Sequence, residues 1–201
     1  MKILCIGRNY AKHAKEMGSV VPTEPMIFMK PESALNFSGQ MIYPDFTSDL
    51  HYELEVVIEI NKTVKRITKE EANQCYDRIG LGIDFTARDI QKKCKEKGHP
   101  WEKAKAFDHS APLSKLVSKE DYDLSKLNFK LWHNENLVQD GNTQDLIFDF
   151  DYLISYASQF FTLQKGDLIY TGTPEGVGPV KKGDILKGYL KGKKLLEVSI
   201  I

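Results

Sequence analysis

The sequence predicts a sheet-dominated α+β domain, and three observations lead there. Strand-like apolar stretches outnumber helical ones, the helical stretches do not alternate regularly with them, and the chain ends in short strand-like pieces separated by Gly-Asp and Gly-Lys turns. A doubly wound sheet needs regular alternation and is disfavoured. With 201 residues, 41% of them hydrophobic and 28% charged, the chain can bury a real core. No Pro/Gly/Ser-rich or low-complexity stretch divides it, so a single domain over residues 1–201 is expected.

Lys2 to Gly7 reads as a buried strand, and Tyr10 to Met17 as a short helix. Met26 to Lys30 is a short apolar run halted by Pro31. His51 to Ile60 alternates and then becomes continuously apolar through Val56, Val57 and Ile58, which favours a strand. Thr68 and Glu71 have capping-box spacing and predict a helix from Thr68 to Ile79, followed by a short strand from Leu81 to Asp84. Thr86 to Lys97 predicts a helix closed by Gly98 and Pro100, with Thr86 as N-cap and Asp89 completing its box. Phe129 to Val138 resembles a hairpin turning at Asn134-Glu135-Asn136. Asp149 to Phe161 has Leu153, Ile154, Ala157, Phe160 and Phe161 at helical spacing. Asp167–Thr171, Asp184–Leu190 and Leu195–Ile200 then read as strands.

Lys+Arg and Asp+Glu are equal at 28 each, so nothing in the charge favours nucleic acid or an anionic membrane as partner. Cys5, Cys75 and Cys94 are odd in number and form no C-x-x-C pair, which fits a reducing compartment. The opening apolar run ends at Arg8, too early for a signal peptide. No run approaches the roughly 20 apolar residues of a membrane helix. A cytoplasmic protein is expected.

The chemistry concentrates in acids. In an extended strand His51, Glu53 and Glu55 share one face, while Tyr52, Leu54 and Val56 share the apolar one. Two carboxylates about 7 Å apart repel unless a positive charge sits between them, and a hard divalent cation such as Mg²⁺ or Mn²⁺ fits. The plain alternative is the wet face of an edge strand. His51 reads more readily as a non-ligand than as a third ligand. Asp84 is the better third: it ends an apolar strand, and Thr86 can cap the next helix in its place.

These residues lie in motifs that resemble the fumarylacetoacetate hydrolase family, nearest its small acylpyruvase and oxaloacetate decarboxylase branch. The motifs are GRNYxxHxxE (7–16), FMKP (28–31), HYELEVV (51–57), GIDFTARDIQ (82–91), WEKAK (101–105) and GDLIYTGTPEGVGP (166–179). Each is weak alone, but their order and spacing cover nearly the whole chain. The resemblance implies a layered, partly barrel-like mixed β-sheet with peripheral helices. It also implies a Mg²⁺ or Mn²⁺ site at Glu53, Glu55 and Asp84, a small 2-oxo-carboxylate substrate and a homodimer.

Such a metal stabilises the pyruvate enolate left by cleaving an acylpyruvate or decarboxylating oxaloacetate. Hydrolysis also needs a base. His13 and Glu16 are neighbours at i and i+3 on the short helix; without the resemblance they read as a surface pair, and with it as a catalytic dyad. The resemblance also supports Lys105 at the site. Arg88 and Gln91, again at i and i+3, can grip a carboxylate together, and Lys30 is a weaker substrate contact. Thr173 is the contact nominated from the Gly-rich 171–179 loop, which lacks the lysine of a phosphate-binding loop. His99, His109 and His133 show no convincing partner. Acylpyruvate hydrolysis leads this reading, with oxaloacetate decarboxylation as a possible second activity. Isomerisation or decarboxylation of hydroxymuconate-type diacids, or oxaloacetate tautomerisation, is the alternative. A binding module without turnover is the rival from another class, and phosphoester hydrolysis is disfavoured for want of a phosphate cradle.

Overall fold

The computed structural model describes residues 1–18 and 20–201. Its main sheet has six strands in the order Val117–Ser118, Tyr76–Ile83, Leu54–Ile60, Leu168–Tyr170, Ile3–Gly7 and Met26–Lys30. Only the pairing of Ile3–Gly7 with Leu168–Tyr170 is parallel. A second sheet of five strands carries the Asn128–His133/Asn136–Asn142 hairpin, then Ile185–Leu190, Lys193–Ile200 and Gln40–Met41. Short three- and two-stranded sheets complete the layers, and none closes into a barrel. Few helices decorate them, as expected for an α+β chain.

Alternation along the strands divides the main sheet into two unlike faces. Leu54, Val56, Ile58, Ile60, Ile79, Leu81 and Ile83 bury one face with Phe129, Leu131, Leu186 and Val198 of the second sheet. Val57, Cys5, Ile3, Tyr170 and Leu168 form a smaller cluster on the other, and Glu55 belongs to that side. Gly82 keeps the smaller cluster flat: a Cβ there would lie 2.7 Å from the Tyr170 ring carbon Cζ. Gly82→Ala is therefore expected to destabilise the fold by about 1–3 kcal/mol through overpacking, read as a lowered denaturant midpoint.

Two helices differ from the sequence reading. The Thr68 capping box forms, but the helix covers only Lys69–Ala72 with a 3-10 turn to Cys75. Tyr76 turns extended, and Tyr76–Ile83 becomes a strand beside Leu54–Ile60. Burying Ile79, Leu81 and Ile83 by alternation outweighs the local helix signal. The later helix begins at Arg88, not Thr86, and has no side-chain cap; Thr86 is in a short strand, and Asp89 accepts from the Thr47 hydroxyl at 2.6 Å. Its closure by Gly98 in the left-handed region is as expected. The Phe150–Phe160 helix buries Leu153, Ile154 and Ala157 and is capped by Asp149, but Phe160 is exposed.

Candidate active site

Each acid is placed by the strands around it. Glu55 lies within the Leu54–Ile60 strand, and Glu53 in the one-residue break before it. Asp84 follows the paired strand directly, and its N–H donates to the Glu53 carbonyl at 2.8 Å. The three carboxylates bring oxygens within 4.8 Å of one another, all buried. The strand is central in its sheet, so the wet-edge alternative fails. His51 stays outside this group, with Nε2 on Asp49 at 2.9 Å.

Buried cations hold the acids together. Lys105, from the short Glu102–Lys105 helix, donates to Glu53 at 2.9 Å and Asp84 at 2.7 Å. Lys30 pairs with the other Asp84 oxygen at 2.9 Å and also donates to Ser110 Oγ and the Lys105 carbonyl. The sequence reads Lys30 as a substrate contact, but its side chain is 0% exposed and does not line the cleft. It neutralises Asp84 from behind. Arg88 reaches Glu53 at 2.6 Å and Gln91 at 2.8 Å, so the expected Arg88/Gln91 pair exists and borders the metal-ligand candidates. Thr86 donates its hydroxyl to Glu53 at 3.1 Å, which is its role in place of capping.

The electrostatics separate the acids. Burial pushes Glu53 up, but Lys105, Arg88 and His13 outweigh it and hold its carboxyl well below the usual range. Burial raises Glu55 well above that range, and Asp84 and Glu53 add to the effect. Among the described residues Glu55 has no cationic partner, only the Gly172 N–H at 2.7 Å. Three hard oxygen donors, one lacking a counter-charge, fit a divalent cation of the Mg²⁺ or Mn²⁺ type.

His13, on the Ala11–Glu16 helix, lines the same cleft, and Glu16 of that helix meets its ring, Nδ1 to Oε2 3.0 Å. Glu16 thereby orients the ring and leaves Nε2 for the cleft. The Gly-rich loop serves both halves: Gly172 N–H holds Glu55, and Gly176 N–H holds Glu16 at 3.0 Å. Gly172 has φ +105, and a Cβ on Gly176 would strike the Val138 carbonyl, so the loop needs both glycines. Thr173 lines the cleft and accepts from Gln139 Nε2 at 2.8 Å, which keeps its own hydroxyl proton available for an acceptor.

Sequence reasoning missed Gln139, Lys95 and Met26, and it held Arg8 and Phe28 only as motif residues without a role. Gln139 is in the hairpin, fixed by the Leu54 N–H at 2.9 Å; the other four line the cleft. Trp101, quoted only as a motif residue, lines it too. Lys95, two turns beyond Arg88 on one helix, was the one that spacing could have shown. His133 does have a partner, lying 2.8 Å from Asp184, away from the site. The cleft is about 40 Å³ and adjoins a groove of about 400 Å³, with Met26, Phe28, Trp101 and Lys105 lining both.

The family model "Fumarylacetoacetate (FAA) hydrolase C-terminal" matches residues 2–200. The chain is 43% identical over 197 residues to the oxaloacetate tautomerase YcgM of Escherichia coli, covering 96% of this chain and 90% of that protein. It is 42% identical over 196 residues to the mitochondrial oxaloacetate decarboxylase of Dictyostelium discoideum, covering 95% and 89%. The solved fumarylpyruvate hydrolase of Pseudomonas aeruginosa, in complex with Mn²⁺ and pyruvate, superimposes with a TM-score of 0.94 at 37% identity, covering 100% of this chain and 89% of that one. The chain belongs to the fumarylacetoacetate hydrolase family.

Proposed function

We propose that the chain is a divalent-metal-dependent enzyme that enolises oxaloacetate, moving a proton between C3 and the C2 oxygen. One observation carries the reading: a buried Glu53/Glu55/Asp84 cluster and His13, oriented by Glu16, line one small cleft. A cation held by the three acids supplies Lewis-acid stabilisation of the charge that develops on the C2 oxygen. Arg88, Gln91 and Thr173 hold the substrate carboxylate. Lys105 bridges Glu53 and Asp84 and lowers the pKa of Glu53. Nε2 of His13 takes the C3 proton and then returns it to the C2 oxygen, while Glu16 accepts the Nδ1–H hydrogen bond of the transient imidazolium. The tautomerase and decarboxylase names of the relatives support oxaloacetate as substrate. Chelation is expected to abolish tautomerisation, and Mg²⁺ or Mn²⁺ to restore it, read by the enol absorbance of oxaloacetate. Activity indifferent to chelator would sink the reading.

Acylpyruvate hydrolysis, first in the sequence reading, is the second proposal. The 400 Å³ groove beside the cleft supports it, since Met26, Phe28 and Trp101 could receive an acyl group. The same His13 would then deprotonate water. Assaying acetylpyruvate and oxaloacetate side by side ranks the two reactions.

The reading includes a homodimer in the cytoplasm. Exposed Ile42 and Phe46, the latter with its ring 5.3 Å from that of Phe107, offer an apolar face for it. A monomer mass by light scattering would remove the dimer. Buried Cys5, Cys75 and Cys94, all unbonded, suit a reducing compartment, and among the described residues no helix is long and apolar enough to cross a membrane.

A further inference from the structure

The cleft carries two cations besides those that contact its acids. Glu53, Glu55 and Asp84 contribute three formal negative charges, and Lys30, Lys105 and Arg88 match them with contacts of 2.6–2.9 Å to Glu53 and Asp84. Arg8 and Lys95 line the same cleft, and neither forms an ion pair among the described residues.

Both are placed there by features that have no other evident duty. Arg8 has φ +61, a left-handed backbone that costs a residue with a Cβ roughly 1 kcal/mol or more. The chain around it is pinned: Ile3–Gly7 precedes it as a strand, and buried Asn9 donates to the carbonyls of Phe148 at 2.9 Å and Thr171 at 2.8 Å. Lys95 lies on the Arg88 face of its helix, its ammonium 5.5 Å from the Trp101 ring centre. Burial lowers its pKa, and Arg88 and Arg8 lower it further, so these cations crowd one another. An anion between them would relieve that repulsion.

We propose that Arg8 and Lys95 form a second anion subsite at the mouth of the cleft, which takes the distal carboxylate of a dicarboxylic 2-oxo acid. The inference rests on the oxaloacetate reading and sharpens it: the site selects a dianion over a monoanion of the same shape. The first carboxylate and the keto oxygen lie deep, toward the acids, Arg88 and Thr173. The second carboxylate faces outward to Arg8 and Lys95. An apolar substrate tail would instead turn toward Phe28 and Trp101.

The test compares oxaloacetate with its 4-methyl ester, which keeps the reacting atoms and removes the distal charge. Binding to the Mg²⁺-loaded protein is read by tryptophan fluorescence after rapid mixing, with Trp132→Phe leaving Trp101 of the cleft as the reporter, and turnover separately by enol absorbance. The wild-type protein is expected to bind the diacid about ten-fold or more tightly than the ester. Lys95→Met and Arg8→Asn should each reduce that preference about five-fold or more, and Lys95→Arg should retain it; Asn tolerates the left-handed backbone at position 8. An equal loss for both ligands, or an unchanged preference in both variants, overturns the subsite. Turnover lost with the binding preference intact overturns the proposed reaction and leaves the subsite standing.

Discussion

Asp84→Asn is expected to lower turnover by about 10³-fold or more and to weaken Mn²⁺ binding on the order of 10²-fold. Asp84 is the one acid tied to both buried lysines, with Lys30 on one oxygen and Lys105 on the other. The amide removes a hard anionic donor from the cluster and leaves Lys30 without its carboxylate. Breaking a buried pair from one side costs about 3–5 kcal/mol. The variant should therefore also unfold at lower denaturant, and calorimetry with Mn²⁺ separates the two effects. Asp84→Asn with wild-type metal affinity would remove Asp84 from the ligand set.

His13→Ala is expected to lower tautomerisation by about 10²–10⁴-fold, the range for loss of a positioned general base. His13 touches Glu16 and makes no ion pair with the three acids. Metal affinity should therefore hold, and oxalate, a mimic of the enolate, should still bind. That pattern is the opposite of Asp84→Asn. Glu16→Gln should fall between, since the amide can still orient the ring but cannot offset the imidazolium charge. Full activity in His13→Ala would overturn the assignment of the base.

Much of the acid site was legible because its signals are local. Glu53 and Glu55 share a face by the period of a strand, and Asp84 stands where an apolar strand stops. Asp84 is nevertheless not released by a cap at Thr86. Thr86 is no helix cap; it donates to Glu53 and so serves the same cluster. The Thr68–Ile79 helix failed for a related reason, since pairing with Leu54–Ile60 is a long-range gain that a capping box does not register. Lys30 was found as a residue but misplaced in role, because burial behind Asp84 depends on loops distant in sequence. Gln139 was invisible for want of periodicity, and Arg8 was quoted in a motif but given no role. Arg8 depends on a left-handed backbone, Gln139 on a hairpin folding against the Leu54 amide.

The loop from Gly172 to Gly176 acts as a caliper. One jaw, Gly172, closes on Glu55 and the other, Gly176, on Glu16, and both grips are backbone N–H groups set by the loop's own path. The spacing between metal cluster and base is thus written into loop length. A residue inserted or deleted there would misalign both at once, whereas Arg8 and Lys95 stand on other segments. A scaffold arranged in this way can change what it recognises while keeping how it reacts, which makes it a starting point for redesigning substrate choice from the rim inward.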